Sequence, residues 1–175
     1  GANVRESVAG DRLRSCPGVF RGGAALTSIG PYTITAEVAR GGMGVIYRAT
    51  DPGANREVAI KVLLTNTSAG SVAKKRFARE ARALAKLRHK NVVAVHSVGE
   101  HEGNPYIVMD FVAGESLGER LEREGSLPPD EAAAIVRTLA TALHYGHEHG
   151  VVHRDVKPSN VLLAGDQVLL TDYGL

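Results

Sequence analysis

Several residue types are scarce in this sequence of 175 residues, and each scarcity excludes a class of protein. The only cysteine is Cys16, so the chain can form no internal disulfide and is unlike the disulfide-rich secreted domains. Tryptophan is absent, and the net charge of +2 is too small to indicate a nucleic-acid or acidic-membrane binder. No run approaches the roughly 18 apolar residues of a membrane helix, and the first residues lack the features of a signal peptide. With 43% hydrophobic and 23% charged residues, the composition is that of an ordinary globular protein.

Local patterns divide the chain into a tail and a structured region. Residues 1–31 are rich in Gly, Ala, Arg and Ser, show no periodicity, and are expected to be disordered. From Tyr32 onward, β-branched runs, turn residues and apolar spacing predict strands at 32–38, 45–50 and 57–64, a helix at 71–88, strands at 92–98 and 106–112, helices at 117–124 and 129–149, and a hairpin of 161–163 with 168–171. This order predicts a small antiparallel sheet followed by a mainly helical part.

A glycine-rich turn separates the first two predicted strands. Gly41, Gly42 and Gly44 allow backbone N–H groups to approach phosphate oxygens without an intervening Cβ. A glycine-rich hairpin without a ligand explains this pattern equally well when it is taken alone.

The strand at 57–64 contains Lys61 between apolar residues. If that strand is buried, the ammonium needs a carboxylate partner, and Glu80 on the following helix is the obvious candidate. The alternative is a surface lysine on a half-exposed strand.

The most specific stretch runs from Val152 to Asn160 and places His153, Arg154, Asp155 and Lys157 in a loop after a helix. Asp172 follows twelve residues after Asn160. An amide and a carboxylate presented by a loop and a hairpin can share a hard cation through oxygen ligands. The alternative, an ordinary turn and a capped strand, explains the pair much less well.

Residues 32–175 therefore resemble the eukaryotic-like (Hanks-type) protein kinases, because the five motifs occur in the family's order. The residues around Gly42 and Asp155 are similar to those of bacterial serine/threonine kinases. Lys157 resembles the residue of serine/threonine kinases rather than that of tyrosine kinases. The resemblance implies an α+β, two-lobed kinase-like fold. This fold would have an N-lobe (32–109) with an antiparallel sheet and one helix, a hinge (110–114), and a truncated, mainly helical C-lobe (115–175).

The resemblance also implies a role for each matching residue. ATP phosphates would lie under Gly41, Gly42 and Gly44 and be held by Lys61, which Glu80 would position. The adenine would contact Val38, Ile46, Ala59, Leu162, the gatekeeper Met109, and the hinge backbone from Asp110 to Val112. Asp155 would accept the substrate's hydroxyl proton, Lys157 would stabilise the transferring phosphoryl group, and Asn160 and Asp172 would bind Mg²⁺ or Mn²⁺.

Three features depart from the family pattern. Ala39 stands where the first loop glycine is usual, and Tyr173 replaces the usual phenylalanine, so its hydroxyl needs a partner or solvent. The sequence ends at Leu175, shortly after the metal motif. We therefore expect the kinase domain to be incomplete at its C-terminal end and this chain alone to be inactive toward proteins.

Two clusters invite other interpretations. His144, His147 and His149 lie close together, but their spacing and neighbours are not those of a zinc site. The basic residues between Lys74 and Lys90 are more typical of a solvated helix face than of a nucleic-acid site.

The function that the sequence favours is a cytoplasmic serine/threonine kinase domain that uses ATP and a protein substrate, with no nucleic-acid partner and a parent protein that could carry a membrane anchor. One alternative is a truncated or pseudokinase-like fragment that binds nucleotide or a partner without transfer. The other is a kinase for small molecules.

Overall fold

The computed structural model describes residues 27–41, 44–63, 81 and 83–173. The predictions for the tail 1–26, for Gly42 and Glu80, and for most of the helix 71–88 lie outside these residues.

A six-stranded antiparallel sheet forms the first part of the fold, with strand order β1-β2-β3-β4-β6-β5. The strands are β1 (Ser28–Ile29), β2 (Tyr32–Gly41), β3 (Gly44–Asp51), β4 (Arg56–Leu63), β5 (Val95–His101) and β6 (Asn104–Asp110). An aspartate side chain stabilises one of the turns between the strands. Asp51 Oδ1 accepts hydrogen bonds from the backbone N–H groups of Gly53 and Ala54 at 3.0 and 3.2 Å, which closes the turn between β3 and β4.

Alternation along the strands gives the sheet two different faces. One face holds Val45, Tyr47, Val58, Ile60 and Val108 in a core of its own. The other face holds Ala59, Lys61, Ile107 and Met109, and its apolar members join the main core that the second part of the fold completes. Lys61 therefore lies on the face turned toward the second lobe.

The second lobe contains two helices, α1 (Leu117–Glu124) and α2 (Pro129–Glu148), a 3₁₀ turn (Pro158–Asn160) and a three-stranded sheet of β7 (Glu115–Ser116), β8 (Val161–Ala164) and β9 (Gln167–Leu170). A capping box starts α1. The Ser116 hydroxyl accepts from the Glu119 N–H at 3.1 Å, and the Glu119 carboxylate accepts from the Ser116 N–H at 2.8 Å. Pro129 at the start of α2 matches the predicted helix start.

The structure corrects the predicted strand 92–98. The strand begins only at Val95, because the preceding residues pair with the second lobe instead of with the sheet. The Val93 N–H donates to the Leu170 carbonyl and the Leu170 N–H donates to the Asn91 carbonyl, both at 2.9 Å. The Asn91 side chain also donates to the Val168 carbonyl at 2.8 Å. This segment thus ties the two lobes together.

Several other boundaries differ from the prediction. The strand predicted at 106–112 spans Asn104–Asp110 and ends at the first residue of the predicted hinge. The helix predicted to reach residue 88 is helical at Ala81 and Leu84, but residues 85 and 86 form a turn. Residues 28–29, assigned to the tail, pair with β2, and Ile29 is buried at 1% exposure. Ile29 covers the outer face of the sheet, which explains its burial.

Among the described residues, no helix combines the length and the apolar character needed to cross a membrane.

Candidate active site

Lys61 and Asp172 form an ion pair between the two lobes. Lys61 lies on β4 and is 9% exposed, and Asp172 follows β9. The Lys61 Nζ lies 2.7 Å from Asp172 Oδ2. A buried ammonium is stable only with such a partner, so the position of Asp172 is tied to that of the sheet. The predicted partner Glu80 lies outside the described residues, and its pairing with Lys61 stays a prediction.

Two residues near this pair have a backbone conformation that side chains disfavour. Arg154 has φ of 66° and Asp172 has φ of 61°, in the left-handed region. Such a conformation costs on the order of 1 kcal/mol or more for each residue and persists only where the surroundings impose it. Both residues lie in the motifs that the sequence singled out, as strained functional loops often do.

Asp155 and Lys157 lie side by side on the loop before the 3₁₀ turn. The Lys157 Nζ is 2.7 Å from Asp155 Oδ2, and both side chains are about half exposed at 49%. The hydrogen bond and charge of the Lys157 ammonium hold the pKa of the Asp155 carboxyl below its ordinary value. Asp155 is therefore a carboxylate at neutral pH and faces solvent, where it can accept a hydrogen bond from a hydroxyl group.

Asn160 connects this loop to Asp172. Its side-chain nitrogen donates to the Asp155 carbonyl at 2.9 Å and to Asp155 Oδ2 at 3.2 Å. Its own carbonyl accepts from the Thr171 N–H at 3.0 Å, which brings the residue before Asp172 alongside it.

The second side-chain oxygens of Asn160 and Asp172 are candidate ligands for a cation. Among the described residues, none donates a hydrogen bond to Asn160 Oδ1 or Asp172 Oδ1, and no buried side-chain oxygen lacks a partner. An amide and a carboxylate oxygen with free lone pairs suit Mg²⁺ or Mn²⁺. No cluster of three or more His, Cys, Asp or Glu that could hold a metal occurs in the described part of the chain, which includes His144, His147 and His149.

His153 organises the loop, a role that the sequence analysis did not assign. It is 1% exposed, and its Nδ1 accepts from the Asp155 N–H at 3.3 Å. Its Nε2 therefore carries the proton and donates to the Thr171 carbonyl at 2.9 Å. A neutral imidazole thus joins the Asp155 loop to the Asp172 segment. The only signal for this role in the sequence is a histidine beside the charged residues Arg154 and Asp155.

Tyr173 anchors the segment on its other side. Its ring is 2% exposed, and its hydroxyl donates to the Ala142 carbonyl in α2 at 2.7 Å. This is the partner that the sequence analysis required for the tyrosine. A Cβ at Gly146 would lie 2.8 Å from the Tyr173 ring, so this helix position must be glycine. Burial raises the pKa of Tyr173 to about 12.

The two described glycines of the glycine-rich turn differ in their surroundings. A Cβ on Gly44 would lie 2.1 Å from the Val62 carbonyl oxygen, so the close approach of β3 and β4 requires glycine there. A Cβ on Gly41 would have no described atom within 4 Å. Packing against the described residues therefore explains Gly44 but not Gly41, and the phosphate contact of Gly41 stays a prediction.

The residues predicted to contact adenine line the border between the lobes. Ala59 and Met109 are cross-strand neighbours on the lobe-facing side of the sheet, and Ile46 and Leu162 pack against the same core. Val38 on β2 is 53% exposed and is the least enclosed of the set.

The hinge backbone leaves a donor free. The Asp110 N–H donates to the Ala94 carbonyl at 3.0 Å, whereas the Val112 N–H has no hydrogen-bond acceptor among the described residues. A heteroaromatic ring such as adenine could accept from it.

Comparison with known proteins decides the family. The model of the protein kinase domain matches residues 32–175. The chain belongs to the protein kinase family. Members of this family use ATP and a divalent metal.

The relatives of this kinase chain are bacterial serine/threonine kinases, as the resemblance indicated. It is 42% identical over 146 residues to the probable serine/threonine-protein kinase PknB of Lactococcus lactis, covering 82% of this chain and 23% of that protein. It is 41% identical over 150 residues to the serine/threonine-protein kinase PknE of Mycobacterium tuberculosis, covering 85% of this chain and 26% of that protein. The chain thus spans about a quarter of the length of these relatives.

The kinase fold agrees with a solved structure. The crystal structure of the M. tuberculosis PknI kinase domain matches with a TM-score of 0.79 and 35% identity, over 86% of this chain and 62% of that one. The expected two-lobed α+β fold is confirmed. The roles of the individual site residues remain predictions.

The two glycines provide a matched pair of substitutions. Gly41→Ala should leave the unfolding midpoint nearly unchanged and weaken nucleotide binding, because only a ligand meets the added methyl group. Gly44→Ala should lower the free energy of unfolding by on the order of 2 kcal/mol, because the methyl group overlaps the Val62 carbonyl. Urea unfolding and nucleotide titration separate the two effects. An unfolding loss for Gly41→Ala equal to that for Gly44→Ala would contradict this assignment.

Tyr173 should titrate far above an ordinary tyrosine. Its raised pKa means that the neutral form stabilises the fold fully below pH 10, and that this contribution disappears as the pH rises through about 12. Absorbance titration at the tyrosinate band should show a late step that Tyr173→Phe removes. The same substitution should reduce stability at neutral pH by about 1 kcal/mol, through loss of the Ala142 hydrogen bond. Loss of an early titration step instead would show that the hydroxyl is solvated.

Proposed function

We propose that this chain supplies the ATP-binding and phosphoryl-transfer residues of a protein serine/threonine kinase. The observation that carries the proposal is the arrangement around Asp172. Lys61 from the sheet binds this carboxylate, while Asn160, His153 and Thr171 connect it to the loop of Asp155. An ammonium, an exposed carboxylate and two candidate oxygen ligands thus lie in one connected network at the border of the lobes.

The residues suit the charges of a nucleotide. The Lys61 ammonium would hold the α- and β-phosphates, with the open backbone at Gly41 above them. Asn160 and Asp172 would hold the divalent cation, which neutralises phosphate charge when bound. The Val112 N–H and the Asp110 carbonyl would bind the adenine edge, with Ala59 and Leu162 on its faces.

Asp155 and Lys157 suit the transfer step. The hydroxyl oxygen of a serine or threonine forms a bond to the γ-phosphorus, the bond to the ADP oxygen breaks, and the hydroxyl proton passes to Asp155. Lys157, already 2.7 Å from Asp155, would offset negative charge on the transferring group. The lowered pKa keeps Asp155 ionised at neutral pH, and its half-exposed side chain is accessible to a substrate hydroxyl group.

The substrate class rests on Lys157 and on the relatives. Lys157, two residues after Asp155, is similar to serine/threonine kinases, and the named relatives are serine/threonine-protein kinases. This favours protein hydroxyl groups over small molecules. We expect the kinase domain to act in the cytoplasm. A fragment that binds nucleotide without transfer is the alternative, and the experiments below distinguish the two.

Lys61 and Asp155 should affect different steps. Because the chain spans about a quarter of its relatives, transfer from radiolabelled ATP to a serine/threonine peptide is measured on the longest gene product that contains it. Lys61→Met and Asp155→Asn should each lower transfer by at least about 1,000-fold. Asp155→Asn should leave nucleotide affinity within a few-fold. The control Lys86→Met changes an exposed lysine and should retain activity. Turnover near wild type in either variant contradicts the assignment, and nucleotide binding with no transfer in the wild type favours the alternative.

Asp172 should couple nucleotide binding to the cation. Calorimetry of ATP binding should show strong dependence on Mg²⁺ or Mn²⁺, because Asp172 would hold the cation and the cation would offset phosphate charge. Asp172→Ala should remove this dependence, and Asn160→Ala should reduce it less, because the amide carries no charge. Asp166→Ala, in the exposed turn between β8 and β9, is the matched control. Metal-independent affinity that Asp172→Ala does not change would refute the proposed site.

A further inference from the structure

A second concavity lies beside the hinge and has not been assigned a role. Its volume is about 620 Å³, and it is formed by the segment before β5, the hinge residues 110–113 and the β8–β9 hairpin. This volume lies in the range of ligand-binding sites. Of the predicted nucleotide contacts, only Asp110 and Val112 line it, so it is a different site from the one described above.

The lining has an apolar floor. Val92 and Val93 are buried at 8% and 7% exposure, and Phe111 and Leu169 are partly buried beside them. The Phe111 ring is covered by the Arg48 guanidinium, whose carbon lies 4.7 Å from the ring centroid. The floor is therefore mainly aliphatic, which suits apolar side chains better than stacked bases.

Both carboxylates that line the concavity have a hydrogen-bond partner. Glu57 accepts a hydrogen bond from Arg48 Nε at 2.7 Å. Asp110 Oδ1 lies 2.6 Å from His96 Nε2. Glu57 is thus in an ion pair with Arg48, and one oxygen of Asp110 is occupied by His96.

The cations of the lining differ from these carboxylates. Arg88 and Lys90 are exposed, and neither forms an ion pair with an acidic residue in the described part of the chain. Arg88 Nη1 donates to the Leu87 and Val95 carbonyls at 2.9 and 3.4 Å, so its guanidinium is held in place. Between them, His89 accepts from the Asn91 N–H at 3.1 Å and stacks on Tyr145 at 5.1 Å. The rim thus carries a fixed guanidinium and a second positive charge above an aliphatic floor.

We propose that this concavity docks an acidic peptide segment of a partner protein, with apolar side chains on the floor and carboxylates at Arg88 and Lys90. An arginine held in one orientation is suited to carboxylate recognition, because its fork of donors matches the two oxygens. Aliphatic contacts with charge pairs at the rim are the usual anatomy of a protein interface. The proposal does not depend on the phosphoryl-transfer function.

The test uses three labelled peptides of equal length and measures fluorescence anisotropy with the full chain. One alternates glutamate and leucine, the second alternates lysine and leucine, and the third alternates glutamate and glycine. The first should bind at least about tenfold more tightly than either of the others, since only it has both features. A benzophenone group on the first peptide should cross-link to residues 88–94 or 110–113.

Substitutions then locate the binding. The double variant Arg88→Glu/Lys90→Glu should lower the affinity for the glutamate–leucine peptide by about tenfold or more. Lys90→Glu alone should weaken it by a smaller factor, and this exposed residue avoids the structural hydrogen bonds of Arg88. The control Arg137→Glu changes an equally exposed arginine on α2, outside the concavity, and should have no effect. Thermal melting verifies that each variant is folded.

Four outcomes would overturn the proposal. The first two are no binding of the glutamate–leucine peptide at millimolar concentration, and equal binding of the lysine–leucine peptide. The third is an affinity that neither Lys90→Glu nor the double variant changes, and the fourth is cross-links outside the named residues. A labelled single-stranded oligonucleotide that binds more tightly than the acidic peptide would assign the rim to nucleic acid instead.

Discussion

The ion pair between Lys61 and Asp172 is the interaction on which the site depends. Lys61 belongs to a strand that is rigid because it pairs on both sides, with β3 and with β6. Asp172 belongs to a loop with a strained backbone. A buried ammonium without its carboxylate would be strongly unfavourable, so the pair draws the loop toward the sheet. The lobes are thus held at the point where a nucleotide would enter.

A network of hydrogen bonds holds the loop from its other sides. His153 and Asn160 both connect the Asp155 loop to Thr171, and Tyr173 binds the Ala142 carbonyl of α2. Each polar group has a partner that only this arrangement provides. The left-handed backbone of Asp172 is therefore imposed from both neighbours, at Thr171 and at Tyr173. Strain at one residue is sustained by contacts of the residues around it.

The sequence predicted the fold well where the signal is local. Residues 117–124 form a helix with the predicted bounds, because Ser116 and Glu119 make a capping box and Gly125 ends it. The strands around Lys61 and the hairpin after Asn160 also follow their β-branched patterns. The motif residues could be identified because several charged residues in one short loop indicate a binding or catalytic role.

The sequence failed where a tertiary contact overrides the local pattern. Val92 and Val93 read as the start of a strand, but they bond to Leu170, and nothing in their own residue types specifies that partner. Ile29 follows a glycine-rich tail and gives no periodic signal, yet the open face of the sheet buries it. His153 and Gly146 are explained only by Thr171 and Tyr173, which are distant in sequence.

The hinge belongs to both proposed sites, and hydrogen bonds connect them. The Val112 N–H has no acceptor among the described residues, and Val112 also lines the concavity with Arg88. The Asp110 N–H binds Ala94, and the neighbouring Val93 binds Leu170, so the hinge, the rim of the concavity and the hairpin that carries Asp172 form one hydrogen-bonded unit. If each ligand prefers a different position of the hinge, binding of one would change the binding free energy of the other. By linkage, this effect would be equal in both directions.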